Sequence, residues 1–111
     1  MTTDGLASRT CTPCAGGMPP LGPDAVAGLM AELDGWQLDG GTAILRRFEF
    51  KGFAKAVEMA NLAAWLGNHQ GHHPDITFGW GYCEVRFTTH AAGGLTENDF
   101  ICAARLDALL A

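Results

Sequence analysis

Basic charge is scarce in this sequence. Seven Lys and Arg face twelve Asp and Glu among 111 residues, for a formal net charge of −5 at pH 7. With no basic stripe to neutralise phosphates, general electrostatic attraction to nucleic acid is excluded. Apolar residues make up 48% of the chain, yet nowhere do they run for the roughly 18 residues that a membrane-spanning helix needs. The N-terminus lacks a basic region followed by an apolar block, so the expectation is no secretory signal and a cytoplasmic location. Cysteine is sparse as well. Cys11-Thr12-Pro13-Cys14 is a C-x-x-C, but no second one accompanies it, which removes the strongest zinc signature. Redox C-x-x-C motifs normally open a helix after a strand, whereas this one lies in a Pro/Gly-rich leader. Packing, a metal-linked role and redox chemistry stay open for it. Cys83 and Cys102 fall in apolar elements and read as small buried hydrophobes.

What is present suits one domain with a modest core, which oligomerisation would help. Residues 1–21, with Gly16, Gly17, Pro19 and Pro20, read as an extended arm ahead of a single domain over 22–111. Pro23 and Asp24 open a helix whose stripe is Val26, Leu29, Met30 and Leu33, with Gly35 as its stop. Trp36 to Leu38, a turn at Asp39-Gly40-Gly41 and an alternating run from Ala43 to Phe50 form a hairpin. Arg46 interrupts the apolar face of that run. An Ala-rich helix follows from Phe53 to Gly67, with two apolar stripes that suggest packing on two sides. Trp65, on its more polar side, reads as core or as a contact for a ligand or partner.

A second hairpin runs from Pro74 through Gly79-Trp80-Gly81 and back along Tyr82 to Thr89, with Cys83, Val85 and Phe87 on one face. Thr96-Glu97-Asn98-Asp99 resembles a capping box with Asp in place of Glu, and a last helix reaches about Leu110. Asp107 interrupts its apolar side, and nothing in the sequence accounts for that. The order αββαββα predicts an α+β fold: a four-stranded antiparallel sheet with helices packed on one face.

Three of the four histidines, His69, His72 and His73, lie within Asn68-His69-Gln70-Gly71-His72-His73-Pro74-Asp75, at the join of helix and strand. A hairpin turning near Trp80 brings the far ends of its strands together, so His90 returns beside His72 and His73. If the strand continues, His90 falls on its polar face. Imidazole titrates near neutrality, and converging imidazoles can give and take protons in one turnover. Two other readings stay open. His69-x-x-His72 with His90 could ligate a metal, or the histidines could cap a helix end and satisfy loop carbonyls. Asp99 reads first as a helix cap.

The pattern His72-His73-Pro74, Trp80, His90 and Asp99 resembles the signature of the pterin-4a-carbinolamine dehydratases. Gly93-Gly94-Leu95, Asn98-Asp99-Phe100-Ile101 and Ala103-Ala104-Arg105 agree, and the leader through Pro19-Pro20-Leu21 is similar to that of bacterial members. Where the family usually carries an acidic residue, four before the histidine pair, stands Asn68. The resemblance implies dehydration of a 4a-hydroxytetrahydropterin, left by an aromatic amino acid hydroxylase, to quinonoid dihydropterin, with no metal or cofactor. It implies His72 and His73 as the acid–base pair and His90 as an orienting or relaying residue. Asn68, Pro74, Trp80 and Asp99 would line the substrate. It also implies a homodimer or homotetramer. Binding proteins share the fold, a transcriptional coactivator and assembly factors among them, and they are the alternative class.

Overall fold

A computed structural model describes residues 5–12 and 19–110. Its elements are α1 (Pro23–Met30), β1 (Gln37–Asp39), β2 (Ala43–Glu49), α2 (Phe53–Gln70), β3 (Asp75–Gly79), β4 (Tyr82–Phe87) and α3 (Glu97–Leu110). Short 3-10 turns lie at Leu6–Ser8 and His90–Ala92. The four strands form one antiparallel sheet in the order β1-β2-β4-β3, so the two hairpins join along β2 and β4. The expected α+β fold is the observed one.

Alternation on β4 buries Cys83, Val85 and Phe87, and Ile44 of β2 lies opposite Phe87. Against that face pack Met59, Ala63 and Leu66 of α2 and Phe100 and Leu106 of α3. Part of the N-terminal arm is folded onto the domain as well, since Leu6 is 3% exposed within the same core.

Several boundaries differ from the sequence reading, each for a local reason. The first helix stops at Met30, before Gly35. Its end tightens into i→i+3 bonds from Glu32 N–H to Leu29 and Leu33 N–H to Met30. The second helix passes through Gly67 and ends at Gly71, whose φ of 70° provides the left-handed cap. Gly67 is there for space: a Cβ at that position would stand 2.5 Å from Pro74 Cδ and 3.2 Å from the His72 carbonyl oxygen. The histidine segment therefore lies directly on the helix.

Strand β4 ends at Phe87, so His90 is not on a strand face. A bridge between Thr89 and Gly94 pinches off the turn His90–Ala92 that carries it.

The two residues that broke the apolar patterns account for each other. Arg46 Nη1 donates to Asp107 Oδ1 at 2.7 Å, and Trp36 Nε1 donates to the same carboxylate at 2.9 Å. Trp36 is buried against Phe87, so its indole N–H needs that acceptor.

Candidate active site

The site begins at the cap of α3. Thr96 N–H donates to Asp99 Oδ2 at 2.9 Å, which is the backbone half of a capping box. Thr89 Oγ1–H donates to the same oxygen at 2.8 Å, and the hydroxyls of Thr89 and Thr96 lie 2.9 Å apart. The other carboxylate oxygen, Oδ1, is 2.6 Å from His72 Nε2. Asp99 is fully buried and His72 nearly so. A buried carboxylate that accepts three hydrogen bonds is a satisfied one. Facing it, His72 carries its proton on Nε2 and leaves Nδ1 for exchange with a ligand. Burial pulls the His72 pKa down, but the hydrogen bond and charge of Asp99 outweigh it, so the imidazole titrates above its ordinary value. Its ring also stacks on Phe87, at 6.3 Å and 11° between planes.

Around this anchored histidine is an open cavity of about 310 Å³, lined by His72, His73 and His90 with Thr12, Thr89 and Asn98 among its walls. The structure thus brings together the three imidazoles that the hairpin argument paired. His73 is exposed, and its Nε2 lies 3.4 Å from Asn68 Oδ1. A second cavity of about 430 Å³, lined by Trp65, Asn68, His73, Pro74 and Ile76, shares His73 with the first.

Two expected residues lie elsewhere. Trp80 is 73% exposed at the tip of the β3–β4 hairpin. At about 3.3 Å per residue it is roughly 20 Å along the strand from Pro74. The turn that returns His90 to the histidine pair sends Trp80 to the opposite end. His69 belongs to the last turn of α2 and stacks on exposed Trp65, at 5.0 Å and 8°. It does not line the cavity, so the His69–His72–His90 ligand set is not assembled. Among the described residues no group of three His, Cys, Asp or Glu is placed to hold a metal ion. Cys14 of the C-x-x-C lies outside the described residues.

Two wall residues escaped the sequence reading. Asn98, 5% exposed, clasps the arm: Thr12 N–H donates to its Oδ1 at 3.1 Å, and its Nδ2 donates to the Thr12 carbonyl at 2.6 Å. Both stand inside stretches that the sequence reading quoted, but nothing in those stretches pairs them, because the contact joins positions 86 apart in sequence.

Known proteins resemble this chain in sequence and in fold. The profile of a family described as "Pterin 4 alpha carbinolamine dehydratase" matches residues 19–109. A protein of Nitrosospira multiformis is 49% identical over 108 residues, 97% of this chain and 95% of its own. One from Paracoccus denitrificans is 52% identical over 93 residues, 83% of this chain and 87% of its own. Both bear the name "Putative pterin-4-alpha-carbinolamine dehydratase". Among solved structures, a "transcriptional coactivator/pterin dehydratase" from Brucella melitensis is similar, with a TM-score of 0.75 and 32% identity. That match covers 83% of this chain and 99% of the other. A "pterin dehydratase-like protein" identified as a RuBisCO assembly factor in the alpha-carboxysome matches with a TM-score of 0.56 and 27% identity, over 68% of this chain and 89% of the other.

Proposed function

The chain belongs to the pterin 4 alpha carbinolamine dehydratase family, and from that premise we propose that it is a hydro-lyase acting on 4a-hydroxytetrahydropterin. The product is quinonoid dihydropterin, with water as the other product, in the recycling of tetrahydropterin. The observation that carries this reading is the convergence of His72, His73 and His90 on one cavity, with His72 fixed by Asp99.

Water loss needs a proton delivered to the C4a hydroxyl and another removed from N5. His72 is the donor in this reading, because Asp99 favours its protonated form. The ring is held at Nε2, so the proton leaves from Nδ1. His73, exposed beside it, takes the N5 proton, and the Asn68 carbonyl steadies its ring. His90 reaches in from the turn after β4 to orient the pterin or relay protons to solvent. Asn68 and Pro74 border the substrate next to His73. Asp99 acts through His72 and is a positioning residue. A cytoplasmic homodimer or homotetramer serving an aromatic amino acid hydroxylase completes the proposal. No described helix is long and apolar enough to cross a membrane.

The test is dehydration of 4a-hydroxytetrahydropterin generated in situ and followed by absorbance. Wild-type protein accelerates water loss over background, and His72→Ala or His73→Ala lowers the rate by about 10²–10⁴-fold. A well-folded wild type with no acceleration would overturn the enzyme reading. The second reading would then stand: a binding or assembly protein of the same fold, in line with the coactivator and assembly-factor names that two similar solved proteins bear.

A further inference from the structure

Two thiols far apart in sequence meet beside the cavity, and the proposed reaction uses neither. Cys11 Sγ lies 3.3 Å from Cys102 Sγ. Cys102 is fully buried in α3, while Cys11 is half-buried at the surface end of the contact. The arm that carries Cys11 is held on both sides. Cys11 N–H donates to Gln70 Oε1 at 3.1 Å, Thr12 is clasped by Asn98, and Arg105 Nε donates to the Arg9 carbonyl at 2.6 Å. Cys102 Sγ also lies 3.9 Å from the His72 carbonyl oxygen.

We propose that Cys11 and Cys102 are a two-thiol redox site that closes to a reversible disulfide and fastens the N-terminal arm to α3 beneath the histidine cavity. The two sulfurs need to approach by little more than ~1 Å to reach bonding distance, and the arm needs no refolding to allow it. The thiols also differ in the way such a site requires. A hydrogen bond from Cys102 lowers the Cys11 pKa against the opposing effect of burial, with His72 and Arg105 adding positive charge nearby. The same hydrogen bond and burial push Cys102 up, so it retains its proton. Cys11, the half-buried sulfur at the surface end of the contact, is therefore the one that meets an oxidant and attacks, and fully buried Cys102 is the resolving thiol.

Hydrogen peroxide is the oxidant. Cys11 sulfur attacks one peroxide oxygen, the O–O bond breaks, and hydroxide leaves to give Cys11 sulfenic acid. Cys102 sulfur then attacks the sulfenic sulfur, the S–O bond breaks, and the departing hydroxide takes up the Cys102 proton. Two thiols lose two electrons and two protons, and one peroxide becomes two waters. A dithiol reductant reverses the bond by exchange. Buried Cys102 meets peroxide only through Cys11, which guards it from over-oxidation.

The test treats the full-length chain with stoichiometric hydrogen peroxide and then alkylates the remaining thiols in denaturant, where the buried Cys83 and Cys102 are reachable. The proposal expects two of the four cysteines to escape alkylation, and a non-reducing peptide map to join the Cys11 and Cys102 peptides. Closing so long a loop also raises the melting temperature, on the order of 10 °C, and dithiothreitol removes the gain. Cys14→Ser retains both results. Cys102→Ser abolishes them, and if that core substitution fails to fold, Cys11→Ser in the arm gives the same answer. A Cys11–Cys14 link, a Cys11 sulfinic acid beside alkylatable Cys102, or no loss of thiols would each overturn the proposal. None of these readouts depends on pterin chemistry, so failure here leaves the dehydratase reading untouched.

Discussion

Asp99 has two oxygens and two tasks. One caps α3 through Thr96 N–H, and the other holds His72. Asp99→Asn keeps the shape and removes the charge, so burial acts on His72 with only the smaller influence of Cys11 against it. A two-dimensional NMR titration should show the His72 pKa falling from above to below its ordinary value. The pair also links stability to pH. Because the folded pKa of His72 is raised, its contribution is complete below the unfolded value of about 6.5 and is lost as pH rises through the folded value. The urea midpoint of wild type should therefore exceed that of Asp99→Asn most at pH 6. There the difference corresponds to about 1–3 kcal/mol, and it narrows toward pH 9. A constant gap across that range would mean that the cap alone is at work.

At the scale of elements, the end of α2 sets where the histidines lie. Gly67 and Gly71 are four apart and do different things. Gly71 has nothing within 4 Å of a would-be Cβ but a φ of +70°, whereas Gly67 is helical and blocked by Pro74. Gly71→Ala should cost only the left-handed strain, about 1 kcal/mol. Gly67→Ala gains about 1 kcal/mol of helix propensity but lifts the His72–Pro74 segment off the helix, at a cost of about 1–3 kcal/mol. Thermal melts would show both variants destabilised, but the dehydration rate should fall far more for Gly67→Ala, the one that displaces the histidine segment.

The link between β2 and α3 is the second test at this scale. Asp107→Ala strands the buried indole N–H of Trp36 and should cost about 1–3 kcal/mol. Arg46→Ala exposes less and leaves that bond in place, so it should cost less. Denaturant melts of the two variants and their double mutant check the order, with a coupling of about 0.5–2 kcal/mol expected between neighbours in one network.

For the whole molecule, the arm matters more than its composition suggests. The family profile begins at residue 19, yet Leu6 is in the core and Thr12 is in the cavity wall. A chain truncated to residues 19–111 should fold, since every helix and strand is retained, but lose stability. Loss of the Leu6 side chain alone is worth about 2–5 kcal/mol, and the Arg9–Glu97 ion pair adds little at the surface. A melt by circular dichroism gives the first result. In the dehydration assay, a raised KM with a smaller change in kcat would place the loss in the cavity wall. An unchanged melting temperature would show that the arm contributes no net stability.

The sequence by itself determined what is periodic or local. Alternation placed Cys83, Val85 and Phe87 on the buried face, Pro23 opened a helix, and Thr96 to Asp99 spelled a cap. Hairpin geometry was enough to bring His90 back to His72 and His73, because antiparallel strands must return to where they began. Only the tertiary structure separated residues of one type. His69 and His72 are alike in sequence, but the helix continues to Gln70 because Gly71 is its left-handed cap, and this turns His69 onto Trp65 and His72 onto Asp99. The same holds for Arg46 with Asp107, Thr12 with Asn98 and Cys11 with Cys102. Each pair joins elements distant in the chain, and burial and hydrogen-bond satisfaction act between neighbours in space, which no spacing along the sequence encodes.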